Sequence, residues 1–306
     1  MIASFFAALF FAADATLGNH NIRAHGALYA NAGRLAIAAV ALGLLAHTVG
    51  NGFASASVPW FLLSGLVGMG VGDLGTFEAL PRLGSRLTVL MVQCLAAPIA
   101  AIGEWVWLGT TLSVAQIAFG AVILLGVAVA MMPSRARPPR VRVRPAGFAF
   151  GLLAAAGQGL GALVSRKGVT VAADAGESVS EPMFGITAAY HRTLAGLIFI
   201  AVWVILLRLL DRAPGNPAGA GSTPAERRRG FGWMAANGLV GPVIAMGCFQ
   251  WALATTPSGL VMPILATAPL LSMPIAWWAE GDRPSARAML GGAIAVAGCA
   301  ALTTAR

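Results

Sequence analysis

The chain has 306 residues, of which 58% are hydrophobic and only 10% charged, with a formal net charge of +9. A soluble domain carries roughly 25% charged residues, and so few charges cannot cover a water-facing surface. A bilayer removes that demand, and a mean hydropathy of +0.79 fits one.

Apolar runs of ~20 residues span a ~30 Å hydrocarbon core as helices. In chain order they predict spans at 2–21, 28–47, 59–80, 86–107, 114–132, 147–166, 185–207, 232–253, 259–279 and 286–303, an all-α integral membrane protein. The segment from Met1 to Ala15 is apolar and ends in Ala13-Asp14-Ala15, which mimics a signal-peptidase site, but it has no basic n-region and reads as part of the first helix. Gly241-Pro242 and the stretch from Pro263 to Pro274 lie inside spans. Between packed membrane helices such residues mark kinks rather than ends. The Pro/Arg-rich linker 133–146 and the Gly/Pro/Ser-rich loop 213–230 read as flexible connectors, and the loop 168–182 is acidic. Cys94, Cys248 and Cys299 each fall in an apolar run without metal-ligand spacing and read as small packing residues.

The basic residues sit in short clusters between the spans rather than on one amphipathic face, so membrane orientation explains them and nucleic acid does not. Fifteen arginines fall in the connections that follow odd-numbered spans. Arg166, Lys167 and Arg306 fall on the opposite side, and Arg34 and Arg192 lie within spans. This bias predicts both termini outside and the two long connectors in the cytoplasm. Of the twenty basic residues only Lys167 is lysine, a composition that suggests a GC-rich bacterial genome and hence a bacterial plasma membrane.

The two halves match. Trp60 and Trp233 are 173 residues apart, as are Gly65-Leu66-Val67-Gly68 and Gly238-Leu239-Val240-Gly241. Gly75-Thr76-Phe77-Glu78 pairs with Gly247-Cys248-Phe249-Gln250 at 172, and Trp105 with Trp277, Ser113 with Ser285 and Gly126 with Gly298 at the same offset. Arg34 pairs with Arg192 at 158 because the second half has a longer loop. A constant offset across Trp and Gly positions predicts two five-helix repeats, 1–132 and 147–306. Five is odd, so the second repeat enters the membrane inverted, the architecture of many secondary transporters.

At this point the whole chain resembles the drug/metabolite transporter superfamily, of the ten-helix EamA type. The most specific likeness is the junction between the fourth and fifth helices of each repeat, a Leu-Gly-Glu-Arg-like turn, then Ser, often Gln, then a Gly-rich helix. The first copy reads Leu108-Gly109-Thr110-Thr111-Leu112-Ser113 with Gln116, Gly120 and Gly126; the second reads Glu280-Gly281-Asp282-Arg283-Pro284-Ser285 with Gly292 and Gly298. The family's Glu is thus Thr110 in one copy and Asp282 in the other. Arg34 and Arg192 match the family's arginine in the second helix of each repeat. The resemblance implies export or exchange of a solute without naming it.

Ionisable residues inside a membrane each cost ~2.5–3.5 kcal/mol or more at the helix centre and point to function or to buried pairing. Arg34, Asp14 and Asp73 fall at similar depth in one half of the membrane, with Glu78 nearer the interface, and are expected to cluster. Arg192 and Glu104 fall in the other half and are expected to pair. Either group lines the route, binds a carboxylate or relays a proton, or else it only fixes helix packing. Gln93, Gln158, Tyr190, Asn237 and Thr267 are candidates to bind solute or to bridge helices. His191 adds a titratable ring beside Arg192. Trp105, Trp107, Trp277 and Trp278 read as interfacial anchors. The Gly68/Gly72 and Gly157/Gly161 spacings read as close helix packing.

These features favour a secondary transporter of small polar metabolites such as amino acids, working as a monomer or homodimer in the lipid bilayer without nucleic acid, cofactor or metal. The sequence lacks GxxxxGK[ST], so energy is expected from a solute or proton gradient. A scaffold or lipid flippase subunit is the alternative. A membrane-embedded lipid enzyme has less support, because HExxH and Gly-x-Ser-x-Gly are both missing.

Overall fold

The computed structural model describes residues 1–83, 85–132, 143–210, 223–280 and 285–304; the side chains of 77, 85, 86 and 275–280 fall outside that description. Among the described residues every element is helical. The spans are α1 (Ile2–His25), α2 (Ala27–Thr48), α3 (Val58–Leu83), α4 (Ser85–Leu108), α5 (Val114–Met131), α6 (Ala146–Asp174), α7 (Pro182–Leu209) and α8 (Pro224–Thr255). After them come the short pair α9 (Ser258–Leu265) and α10 (Ala268–Glu280), then α11 (Ala286–Thr304). Nine helices among the described residues are long and apolar enough to cross a membrane, and α9 with α10 makes a tenth, broken span. The connectors at 133–142 and 211–222, and the turn Gly281-Asp282-Arg283-Pro284 of the second junction, lie outside the described residues.

Three spans depart from expectation. The eighth begins at Pro224 instead of 232, so residues 224–230 of the expected loop 213–230 are helical, started by a capping box of Thr223 and Glu226. The ninth breaks at 266–267 instead of running through 259–279. Pro269 has no N–H to return to the Leu265 carbonyl, and its ring crowds that position; Gln93 Nε2 lies 3.5 Å from the freed oxygen. Helix α6 continues eight residues past the expected end at 166, so Arg166 and Lys167 are helical rather than loop residues. It stops where Gly176 takes φ 79, with Gly176 N–H on Ala173 O and Glu177 N–H on Ala172 O, both at 3.0 Å. That left-handed cap suits glycine and turns Glu177 back over the helix.

The junction motif proves to be helix punctuation. Gly109, at φ 67, ends α4 with its N–H 3.2 Å from Trp105 O. Ser113 and Gln116 then form a capping box at the start of α5, each side chain bonded to the other's backbone N–H. In the second copy Ser285 Oγ accepts from Ala288 N–H at 3.2 Å.

The halves interlock. Helix α1 packs on α8 and α10, while α6 packs on α3 and α4; α2 packs on α7, and α5 on α11. Both α3 and α8 carry a π-helical segment, Leu66–Gly72 and Leu239–Ala245, 173 residues apart. Pro242 supplies no N–H in the second segment, and such local widening lets a membrane helix absorb the loss. Close approaches recur in the same register. A Cβ on Gly65 would lie 2.6 Å from Arg192 Cα, and one on Gly238 2.8 Å from the Arg34 carbonyl oxygen. A Cβ on Gly126 would lie 2.5 Å from Ala295 N, and one on Gly298 3.1 Å from Ile123 N. Gly157 faces Gly72 and Gly161 faces Gly68, so the two small-residue spacings meet each other across the α3–α6 contact.

Candidate functional site

Four helices bring polar side chains together in the half of the bundle nearer the long connectors. Arg34 of α2 lies 3.6 Å from Asp14 of α1 and 3.8 Å from Asp73 of α3. Its Nε donates to Asn31 Oδ1 at 2.9 Å. Asn237 of α8 donates to Asp14 Oδ1 at 2.5 Å and accepts from Asn21 at 3.0 Å, and Asn21 Oδ1 meets His25 Nδ1 at 3.0 Å. The result is a polar chain running from His25, at the end of α1, to Asp73. The three charged side chains stay 14–22% exposed although helices surround them. Gly241 lets Asp14 in, since any Cβ there would overlap its carboxylate.

The equivalent arginine in the other half is sealed. Arg192 is 1% exposed. It donates to the Ser64 hydroxyl, to Ser165 Oγ at 2.7 Å and to the Gly161 carbonyl at 3.1 Å, and its guanidinium lies 5.9 Å from the Phe249 ring centre. Gln250 joins through Ser165 Oγ at 3.2 Å. Asp73 stands within electrostatic reach of both Arg34 and Arg192.

Glu104 does not pair with Arg192. Its partner is Arg166, at 2.8 Å. The longer α6 explains the correction, because it carries Arg166 to the level of Glu104, one turn from the end of α4. Arg166 also donates to the Leu253 carbonyl at 2.5 Å, while Glu104 accepts from Ser258 N–H at 2.6 Å and from the Ser258 hydroxyl. One ion pair therefore closes the last turn of α8 and caps the first turn of α9, satisfying groups that helix ends leave open.

The remaining candidates scatter. Glu78 pairs with Arg82 one turn on, at 2.5 Å. Thr267, in the break between α9 and α10, donates to Ile264 O at the end of α9, 2.7 Å away. Gln158 is half-buried on α6. Tyr190 packs edge-on with His47 and Phe53 and at a tilt with His191, and His191 Nε2 meets Gly52 O at 2.9 Å. Trp105 and Trp107 are 61% and 46% exposed on the outer surface; the side chains of Trp277 and Trp278 lie outside the described residues. Ser64, Ser165 and Asn21 were not singled out by the sequence. A signal existed, since Ser64 and Asn237 stand 173 apart, in the register of the repeat.

A multispan helical bundle with a charged centre is an architecture that membrane transporters use. The chain belongs to the EamA-like transporter family, whose sequence profile matches residues 1–132 and 145–304; that family is part of the drug/metabolite transporter superfamily. The fold is similar to that of a solved structure described as "Crystal structure of protein", with a TM-score of 0.71 over 99% of this chain and 95% of that one, at 20% identity. No curated protein matches the chain.

Proposed function

We propose that this transporter moves small polar metabolites such as amino acids by alternating access, outward or in exchange, across a bacterial plasma membrane with both termini outside. Residues 1–132 and 147–306 act as oppositely inserted five-helix units, and the reciprocal Gly65–Arg192 and Gly238–Arg34 approaches support that division. The observation that carries the reading is the difference between the two arginines. Arg34 and its acids are partly exposed, whereas Arg192 and its hydroxyl partners are shut away. A bundle open on the connector side and closed on the other has this pattern, and rocking one unit against the other exchanges the two. Asp14 and Asp73 are the carboxylates placed to bind a proton or a solute ammonium group beside Arg34.

A flippase would expose a polar groove to lipid. The large groove on the outer face, about 550 Å³ between α4, α5 and α9, is walled mainly by apolar residues such as Ile102, Trp105 and Ile117. The polar centre is enclosed instead, which favours a solute carrier. Purified protein in proteoliposomes, tested with a panel of radiolabelled amino acids with and without a pH gradient, should accumulate or release at least one of them. Flux that collapses with an uncoupler supports proton linkage; no flux of any class favours the scaffold.

A further inference from the structure

A second polar cavity, of about 250 Å³, lies where the α2–α3 loop meets the α6–α7 loop, on the closed side. Its charged lining residues are Glu177 and Glu181, and His191 forms part of its wall. Glu177 reaches it because Gly176 folds the chain back at the end of α6. Glu177 Oε1 accepts from Ser55 Oγ at 2.9 Å and Ala56 N–H at 3.0 Å, but Oε2 is buried without a partner. His191 is 0% exposed, and its Nδ1 is likewise buried and unpartnered. The Gly52 carbonyl can only accept, so Nε2 holds the ring proton and Nδ1 of the neutral ring offers a lone pair. Phe61, Phe184 and Met183 supply an apolar wall.

We infer that this cavity binds a small primary organic ammonium ion. Both orphaned groups are acceptors, so the fitting ligand brings N–H donors, and buried polar atoms left open are costly. The two carboxylates, with no Lys or Arg in the lining, call for positive charge. An imidazole nitrogen and an aromatic wall suit an alkylammonium better than a hard metal cation, which takes a shell of six or more oxygens. The volume holds several heavy atoms, a water occupying about 30 Å³. Binding there needs no transport cycle, and it stands whether or not amino acids are the cargo.

Isothermal titration calorimetry on the purified full chain in detergent tests this with ethylammonium chloride, against tetramethylammonium, sodium and calcium chlorides at matched ionic strength. Ethylammonium should saturate at one site, while tetramethylammonium, which has no N–H, should not. Glu177→Gln keeps an oxygen for Ser55 and Ala56 but turns the orphaned acceptor into a donor, and should weaken binding by about tenfold or more. Saturation by tetramethylammonium or calcium at equal affinity overturns the proposal, as does a Glu177→Gln protein that binds like the wild type. So does the lack of any saturable ethylammonium heat, which would leave the cavity to water. Binding lost in Asp14→Asn but kept in Glu177→Gln would move the ion to the central cluster and also overturn it. Where Glu177→Gln fails to fold, the same ethylammonium–tetramethylammonium comparison on Asp14→Asn decides the matter: selectivity kept there supports the loop cavity, and selectivity lost there moves the ion to the central cluster and overturns the proposal.

Discussion

Asn21 donates to Asn237 at 3.0 Å, and the two residues in the same register of the other half, Ser165 and Ser64, are hydrogen-bonded at 2.8 Å. Each contact joins the first helix of one half to the third helix of the other. Each also sits beside the arginine that the repeat places there. The side chains differ, amides on one side and hydroxyls on the other, while the positions correspond. The Asn pair leads to Asp14 and a charged, partly open cluster; the Ser pair closes on Arg192, with Gln250 and the Gly161 carbonyl as neutral partners. A shared backbone plan thus carries two different chemistries.

The glycines that admit the arginines should be sensitive to size. Gly65→Ala puts a methyl group against the Arg192 backbone, which cannot swing away as a side chain can. Gly238→Ala meets the Arg34 carbonyl oxygen at 2.8 Å and Arg34 Cα at 3.4 Å, a milder conflict. Overpacking of this kind costs about 1–3 kcal/mol. Thermal unfolding in detergent should show both variants less stable, Gly65→Ala more so. Equal stability to the wild type would mean that the α3–α7 approach is looser than described.

Asp14→Asn separates a functional charge from a structural one. Asparagine keeps an oxygen for Asn237, and Arg34 retains Asp73 at 3.8 Å. One arginine then faces one carboxylate, so the substitution strands no buried charge. Unfolding should therefore move little while solute flux in proteoliposomes falls by about tenfold or more, the loss expected when a charged group stops binding its ligand. Flux at the wild-type level would remove Asp14 from the pathway.

Much of this was legible in the sequence. Span positions followed from apolar length, and offsets of 172 and 173 paired the α3 and α8 residues that carry the two π-helical segments. The Arg34 grouping followed from depth, because helices of known direction place their charges at calculable heights. Depth alone failed for Arg192 and Glu104. It says nothing about which faces meet, and it put Arg166 outside the membrane because hydropathy falls before the helix ends. The break in α9–α10 was signalled by Pro269, yet the same residue is tolerated inside other membrane helices, so composition could not decide it. The junction motif was visible as a pattern, but its meaning, a glycine C-cap followed by a capping box, needed the φ of Gly109 and the Ser113–Gln116 bonds.

Glu104 and Arg166 should behave as a structural pair. Glu104→Gln leaves Arg166 with the Leu253 carbonyl but no countercharge, and Glu104 itself is 2% exposed. Removing one partner of a buried pair costs about 3–5 kcal/mol. Glu104→Gln should lower the unfolding temperature sharply and reduce flux only in proportion to folded protein. Glu104→Gln with Arg166→Met should recover much of the stability, since no charge is then stranded. Flux lost in a well-folded double variant would instead put the pair on the solute route.

Topology is the last test, and the transport reading rests on it. Phe53, 50% exposed in the α2–α3 loop, and Phe231, 61% exposed near the start of α8, each mark the start of the third helix of their half. If the units are oppositely inserted, the start of α3 faces one compartment and the start of α8 the other. Phe53→Cys and Phe231→Cys, each in a protein with Cys94, Cys248 and Cys299 replaced by alanine, should react with a membrane-impermeant maleimide from opposite sides of intact cells. The arginine bias puts the Phe53→Cys thiol on the outer side, where it labels without lysis. It puts the Phe231→Cys thiol on the inner side, where it labels only after permeabilisation. Reversal of the two would leave the inverted arrangement intact and overturn only the orientation. Labelling of both from one side would break the inverted relation itself, and with it the exchange of roles between Arg34 and Arg192.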